Sequence, residues 1–197
     1  MLPNGSKKSI TTIENNSKKK TTHYYEQSPE KVKEYLEQIK DIPKNKIVYV
    51  DESGIDRYLF RNYGRARRGE LVEGVIRGRK FERTSIVAGK LSGKIIAPLQ
   101  YKGSMYYEFF QYWFINHLIP VLPQRTVIVM DNASFHRKEI LKELANKYGH
   151  RVIFLPPYSP ELNPIEHFWN WLKKKISDLL MSSDNLNDVI STIFQVF

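Results

Sequence analysis

Apolar residues fall into two patterns along the chain, and each pattern predicts a different kind of element. Short apolar or β-rich runs are typical of strands that are covered on the faces of a sheet. Between the second and third of these runs, Ser92-Gly93 predicts the tight turn of an antiparallel hairpin. The five predicted strands lie at 47–50, 84–91, 94–100, 126–130 and 151–155.

Apolar residues spaced three or four positions apart predict amphipathic helices. Ser28 and Pro29 suit the cap and the first turn of a helix, so the first helix should begin there. Ser104 is expected to cap an aromatic helix, and Asn163-Pro164 should open the last long one. The predicted helices lie at 29–40, 106–118, 137–148, from 164 onward, and 185–197.

The order of these elements is a strand, a hairpin, a helix, and then two strands that alternate with helices. This order predicts an α/β fold, in which a mixed central sheet combines an antiparallel hairpin with parallel strands and is flanked by helices. We expect a basic linker or arm at 1–27, a bracing helix at 28–44, a main domain at 45–182 and a C-terminal helix at 183–197.

A strong positive charge changes this picture by suggesting a polyanionic partner. The net charge is +10, and residues 57–83 hold nine Lys or Arg against three Glu. Arginine beside aromatic residues suits contact with nucleic-acid phosphates and bases, although a solvated hairpin with ordinary surface charge would give the same pattern. The candidate DNA contacts are Arg57, Arg61, Arg65, Arg67, Arg68, Arg77, Arg79 and Lys80, with Lys173 and Lys174 on the last long helix.

Several classes of protein are disfavoured by what the sequence lacks. There is no cysteine, so disulfides and thiolate zinc sites are excluded. The N-terminus has no apolar core of signal-peptide length, and no apolar run is long enough to cross a bilayer. We therefore expect a cytoplasmic protein that contacts no membrane and is nucleoid-associated when bound to DNA.

Acidic residues end two of the predicted strands and open the last long helix. Asp51 and Asp131 follow apolar runs, and Glu166 lies in the first helical turn. A carboxylate at the end of a buried strand is costly unless a cation or hydrogen bonds hold it. Since hard cations prefer oxygen ligands, the three acids could share a divalent metal site. Two cations about 3.5–4 Å apart can activate water and stabilise the leaving oxygen of a phosphodiester.

Other acids compete for these roles. Glu52 and Asp56 are alternatives to Asp51, and strand alternation allows only one of Asp51 and Glu52 to face the site. Glu161 is an alternative to Glu166. Asn163 and Glu166 also have the spacing of a capping box, so Glu166 could simply hold the start of its helix.

Three segments resemble the catalytic domain of DDE transposases of the mariner superfamily, in its bacterial insertion-sequence branch. They are VYVDESG at 48–54, VIVMDNASFH at 127–136 and LPPYSPELNPIEHFWNWLK at 155–173. The resemblance covers about residues 45–182, and 34 residues separate Asp131 from Glu166, as in that family. It implies an RNase H-like fold.

The resemblance also implies a reaction and a cofactor. Asp51, Asp131 and Glu166 would be the catalytic triad and would hold two Mg²⁺ ions, with Mn²⁺ as a substitute. The implied enzyme cleaves DNA at the transposon ends and transfers the freed strand to target DNA. The residues expected to support the triad are Asn132, His136, Tyr158, Asn163 and His167.

The implied partners are double-stranded transposon ends and target DNA, bound by a homodimer. Family members carry paired helix-turn-helix domains ahead of the catalytic domain, and the roughly 44 residues found here are too few for them. We therefore expect end recognition to need a separate helix-turn-helix chain or domain. Two alternatives stay open: a non-catalytic or decayed DNA-binding module, and an RNase H-like nuclease that only cuts.

Overall fold

A five-stranded mixed sheet forms the centre of the protein. The structure, a computed structural model, describes residues 25–56, 83–180 and 185–195. The strand order is β3-β2-β1-β4-β5, with β1 antiparallel to β2, β2 antiparallel to β3, and β1, β4 and β5 parallel. This arrangement confirms the predicted mixed sheet. The strands are β1 (Ile47–Asp56), β2 (Arg83–Leu91), β3 (Lys94–Lys102), β4 (Val127–Met130) and β5 (Arg151–Phe154).

The hairpin of β2 and β3 contains a tight turn and a bulge. Ser92 and Gly93 both have positive φ, at 50° and 83°, which is the geometry of the predicted two-residue turn. The register shifts between Val87 and Gly89, where β3 carries an extra residue next to Ala97, whose φ is 49°. The indole of Trp113 donates a hydrogen bond of 2.8 Å to the Ala97 carbonyl and fixes the bulge.

The predicted helices are present, with one different in form. Ser28 caps the first, because its hydroxyl accepts a bond from the Lys31 N–H. The aromatic helix begins only at Tyr107, too far from Ser104 for a cap, so that predicted cap is wrong. This helix continues as a π-helical turn (Phe114–Leu118) and a 3₁₀ turn (Ile119–Val121). The helices are α1 (Pro29–Ile39), α2 (Tyr107–Trp113), α3 (Lys138–Lys147), α4 (Ile165–Leu179) and α5 (Leu186–Gln195).

Helices cover both faces of the sheet, because successive side chains of a strand point to opposite faces. On one face, Val48 and Val50 pack in a cluster with residues of α2 and α3. On the other face, Ile55 packs in a cluster with residues of α4 and α5. Tyr35 of α1 is 3% exposed and packs with the first residues of β1 and β4.

The helices described in the structure are also short or polar. Within the described ranges, none combines the length and apolar character needed to cross a membrane.

Candidate active site

Three elements deliver one acid each to a shared cavity. Asp51 lies on β1 just past its parallel pairing with β4, Asp131 follows the last residue of β4, and Glu166 is the second residue of α4. The helix packs across β1, which brings Glu166 over the strand ends. All three carboxylates line a cavity of about 420 Å³, which opens beside the loop at 155–160. This position, outside the carboxyl ends of the parallel strands, is where open α/β sheets bind ligands.

Asp51 is partly buried and carries a strongly perturbed carboxyl group. Its Oδ2 accepts a hydrogen bond of 3.0 Å from the indole N–H of Trp169 on α4. Burial, followed by the negative charges of Glu166 and Asp131, raises the pKa of Asp51 to about 7. The carboxylate form of Asp51 is therefore opposed by burial and by two neighbouring acids, and it is stabilised by the Glu52 backbone N–H and the Trp169 indole.

Asp131 behaves in the opposite way although it faces the same cavity. Its Oδ1 accepts a 3.0 Å bond from the Ala133 N–H, and the imidazole Nδ1 of His136 lies 3.4 Å from the same atom. Partial burial works to raise the pKa of Asp131, but the interactions with His136 and Ala133 outweigh it, and the pKa is lowered. The site therefore pairs an Asp131 whose pKa is lowered with an Asp51 whose pKa is raised.

His136 orients Asp131 from the inside of the protein. Its side chain is 4% exposed and packs against Phe110 and Phe135, with ring centroids 4.4 and 4.3 Å away. Its Nδ1 also lies 3.3 Å from the Asp131 backbone oxygen. This packing indicates that His136 is a structural group, which holds the turn after β4.

The donor set suits a hard divalent cation. Carboxylate oxygens are the ligands that Mg²⁺ and Mn²⁺ prefer, and a cation would offset the repulsion that, after burial, raises the Asp51 pKa. Within the described part of the chain, however, no three His, Asp or Glu side chains are gathered closely enough to form a complete metal cage. The cavity supplies the right chemistry in an open arrangement.

The family follows from comparison with known proteins. Residues 46–188 match the family model described as DDE superfamily endonuclease. The chain belongs to this family.

Solved structures show the same fold as this DDE domain. The Mos1 transposase paired-end complex with left transposon end aligns with a TM-score of 0.63 at 17% identity, over 88% of this chain and 62% of that one. The catalytic domain of Mos1 mariner transposase aligns with a TM-score of 0.58 at 18% identity, over 85% of this chain and 78% of that one. These matches confirm the RNase H-like fold, and the family model confirms the resemblance to the DDE superfamily.

A curated relative matches a shorter stretch of the chain. The uncharacterized protein y4pE/y4sA of Sinorhizobium fredii (strain NBRC 101917 / NGR234) is 42% identical over 55 residues, which is 25% of this chain and 38% of that protein. The chain thus spans well under half of this relative and about three fifths of the Mos1 chain in the paired-end complex.

The structure places the competing acids outside the cavity. Glu52 points to the opposite face of β1, where its Oε2 accepts a 2.8 Å bond from the Tyr101 hydroxyl. Glu161 is exposed and accepts a bond from the Gln27 amide. The capping-box alternative for Glu166 is wrong, because no side chain caps α4 and the Glu166 N–H instead donates to the Asn163 backbone oxygen at 3.1 Å.

Among the five residues expected to support the triad, the structure brings four to the acids. Asn132, Tyr158 and Asn163 line the cavity, and His136 contacts Asp131. Tyr158 is 56% exposed and has a φ of 56°, which is a strained backbone conformation for a bulky residue. His167 is exposed and is absent from the cavity lining.

Two of the predicted DNA contacts can be placed. Lys173 and Lys174 lie on α4, where the first is partly buried and the second is exposed. The others fall outside the described residues: Arg57, Arg61, Arg65, Arg67, Arg68, Arg77, Arg79 and Lys80.

The bond between Trp169 and Asp51 is the main site feature that the sequence analysis missed. A signal for it exists, because Trp169 is three residues after Glu166 and residues at this spacing share a helix face. A helix that directs Glu166 towards β1 therefore directs Trp169 towards β1 as well.

Proposed function

We propose that this chain is the catalytic domain of a transposase, which cleaves DNA at the ends of a mobile element and joins them to target DNA. The observation that carries the proposal is the convergence of Asp51, Asp131 and Glu166 on one cavity from β1, β4 and α4. Membership of the DDE superfamily endonucleases supports hydrolysis of phosphodiesters as the first step.

Divalent cations would be held by these three carboxylates. The titles of two Mos1 structures name Mn and Mg in paired-end complexes, which supports the same metals here. When bound, two such ions would polarise the scissile phosphate and lower the pKa of the attacking water. The protein's own contribution is to hold Asp131 ionised through His136 and Ala133, and to orient Asp51 through Trp169.

The proposed substrate is double-stranded DNA. Paired-end complexes of the Mos1 transposase contain transposon-end DNA, as their names state, and the net charge of +10 suits a polyanionic ligand. Lys173 and Lys174 lie on α4, the helix that carries Glu166, and they are the described candidates for backbone contact. A homodimer on DNA and a separate end-reading helix-turn-helix chain or domain complete the proposal.

The test is a calorimetric titration of Mn²⁺ into the purified chain, with and without a short duplex, beside Asp131→Asn. We expect binding in the wild type, strengthened by DNA because phosphate oxygens complete the metal shell, and its loss in the variant. A folded wild-type chain that binds no Mn²⁺ under either condition would refute the metal site and favour a non-catalytic DNA-binding module.

A second assay separates a transposase from a nuclease that only cuts. Labelled duplexes carrying a free 3′-OH are incubated with plasmid target, Mn²⁺ and the chain, together with any end-binding partner. Joined products that disappear in Asp131→Asn support strand transfer. Cleaved products without joining would leave only the nuclease function.

A further inference from the structure

Asn163 has a buried side-chain oxygen that the described protein does not use. The residue is 4% exposed, and its Oδ1 has no hydrogen-bond partner among the described residues. Asn163 lines the same cavity as Asp51, Asp131 and Glu166. Buried polar atoms are nearly always paired, so an unpaired amide oxygen beside three acids requires an explanation.

Backbone hydrogen bonds hold Asn163 in place, and its side-chain oxygen takes no part in them. Its N–H donates to the Pro160 carbonyl at 3.0 Å, and its carbonyl accepts from the Glu166 N–H at 3.1 Å. The side chain does not cap α4. The backbone bonds therefore fix the position of Asn163 at the cavity wall without any structural use of Oδ1.

Asn132 in the same cavity shows what a structural asparagine looks like. Its side-chain amide donates to the Leu155 carbonyl, and its Oδ1 accepts from the Lys138 ammonium group. Both ends of this amide are occupied, and together they tie the loop after β4 to the end of β5 and to the start of α3. Asn132 and Asn163 thus form a matched pair with the same side chain and the same cavity but different use.

We propose that Asn163 supplies a neutral oxygen ligand to the divalent cation held by the three carboxylates. The proposal rests on the metal site proposed above. Hard cations bind amide oxygens as well as carboxylates, and a neutral ligand adds no repulsion to a cavity that already contains three acids. The χ2 torsion of asparagine is soft, so the amide can turn its oxygen onto an ion in the cavity.

The test compares Asn163→Ala, Asn163→Asp and Asn132→Ala by two measurements. Mn²⁺ affinity is read by electron paramagnetic resonance of the free ion, and the stability of the metal-free chain by urea unfolding. Asn163→Ala should weaken Mn²⁺ binding by about tenfold or more without lowering the urea midpoint, because the lost oxygen has no partner in the metal-free state. Asn163→Asp should keep Mn²⁺ binding, because it keeps an oxygen at this position.

Asn132→Ala provides the contrast, and its urea midpoint should fall because it breaks two hydrogen bonds. The inference is overturned if Asn163→Ala binds Mn²⁺ like the wild type, a result that leaves the proposed function intact. It is also overturned if Asn163→Ala loses as much metal-free stability as Asn132→Ala, or if Asn163→Asp fails to bind. Absence of Mn²⁺ binding by the folded wild type would overturn both proposals. If Asn163→Ala does not fold, retention of binding by Asn163→Asp decides in favour.

Discussion

Replacing Asp51 with asparagine should stabilise the metal-free protein at neutral and alkaline pH. The folded protein raises the pKa of Asp51 from 3.8 to about 7, mainly through burial and then through the charges of Glu166 and Asp131. A carboxyl with a raised pKa binds its proton more tightly in the folded state than in the unfolded state. Its contribution to stability is therefore full below about pH 4 and is lost as the pH rises to about 7.

The size of this loss follows from the pKa change. Each tenfold change in proton affinity is worth about 1.4 kcal/mol, so a rise from 3.8 to about 7 corresponds to roughly 4 kcal/mol. Asp51 keeps some contact with the open cavity, and solvent screening reduces the figure to about 2–4 kcal/mol. An asparagine has nearly the same shape and no charge, so Asp51→Asn should recover this amount near pH 8 and little near pH 4.

The assay is urea unfolding of the wild type and Asp51→Asn at both pH values, with a chelator present. Asp131→Asn is the control of opposite sign: the pKa of Asp131 is lowered, so its charge stabilises the fold and its removal should reduce stability near pH 8. Excess Mn²⁺ should then stabilise the wild type and neither variant. The electrostatic account fails if Asp51→Asn is less stable than the wild type near pH 8, or changes equally at both pH values.

Three further predictions concern the sheet and its ends. Gly89→Ala would place a Cβ 2.9 Å from the Val48 Cγ2 atom, so unfolding free energy should fall by about 1–3 kcal/mol; an unchanged urea midpoint would contradict this crowding. Ala97→Gly should stabilise the protein by up to about 1 kcal/mol and so raise the thermal midpoint, because φ is 49° at this position. A lower midpoint would show that packing of the methyl group contributes more than the backbone strain costs. Burial lowers the pKa of His150, whose Nδ1 faces the Thr126 N–H at 3.3 Å, so its contribution is present above about pH 6.5 and lost as the pH falls through the folded pKa. His150→Asn should therefore lose less stability than the wild type between about pH 7 and pH 5 in urea titrations, and an equal loss would refute this role.

The sheet could be predicted because its strands are runs of buried residues, but β1 shows where that signal ends. The apolar run predicts a strand at 47–50, whereas β1 continues to Asp56. The added half contains Asp51, Glu52 and Ser53, and it is held by antiparallel pairing with β2. Polar residues occupy the part of β1 that borders the candidate site, so the apolar run that predicts the strand ends there.

The aromatic helix shows a different limit. Its apolar spacing predicts one helix over 106–118, yet the regular part ends at Trp113 and the chain continues as a π-helical turn. The indole of Trp113 bonds the Ala97 carbonyl in the β3 bulge, and Phe114 is fully buried in the same core. Tertiary packing of large rings determines the helix type of this segment, so the spacing of its apolar residues does not predict the π-helical turn.

The candidate site differs from the rest of the core because it contains buried polar groups without partners and acids close to one another. Of the four buried side-chain polar atoms without a partner among the described residues, Asn163 Oδ1 belongs to a residue that lines the acid cavity, and His136 Nε2 belongs to the ring that contacts Asp131. Burial at the same cavity raises the pKa of Asp51, and the like charges of Glu166 and Asp131 raise it further. Such costs persist in a fold where a ligand offsets them, and a cation surrounded by these oxygens would offset both kinds at once. Whether a buried polar atom finds a hydrogen-bond partner, however, depends on the rotation of α4 and on loop geometry. The sequence therefore indicates the acids but not the unpaired amide beside them.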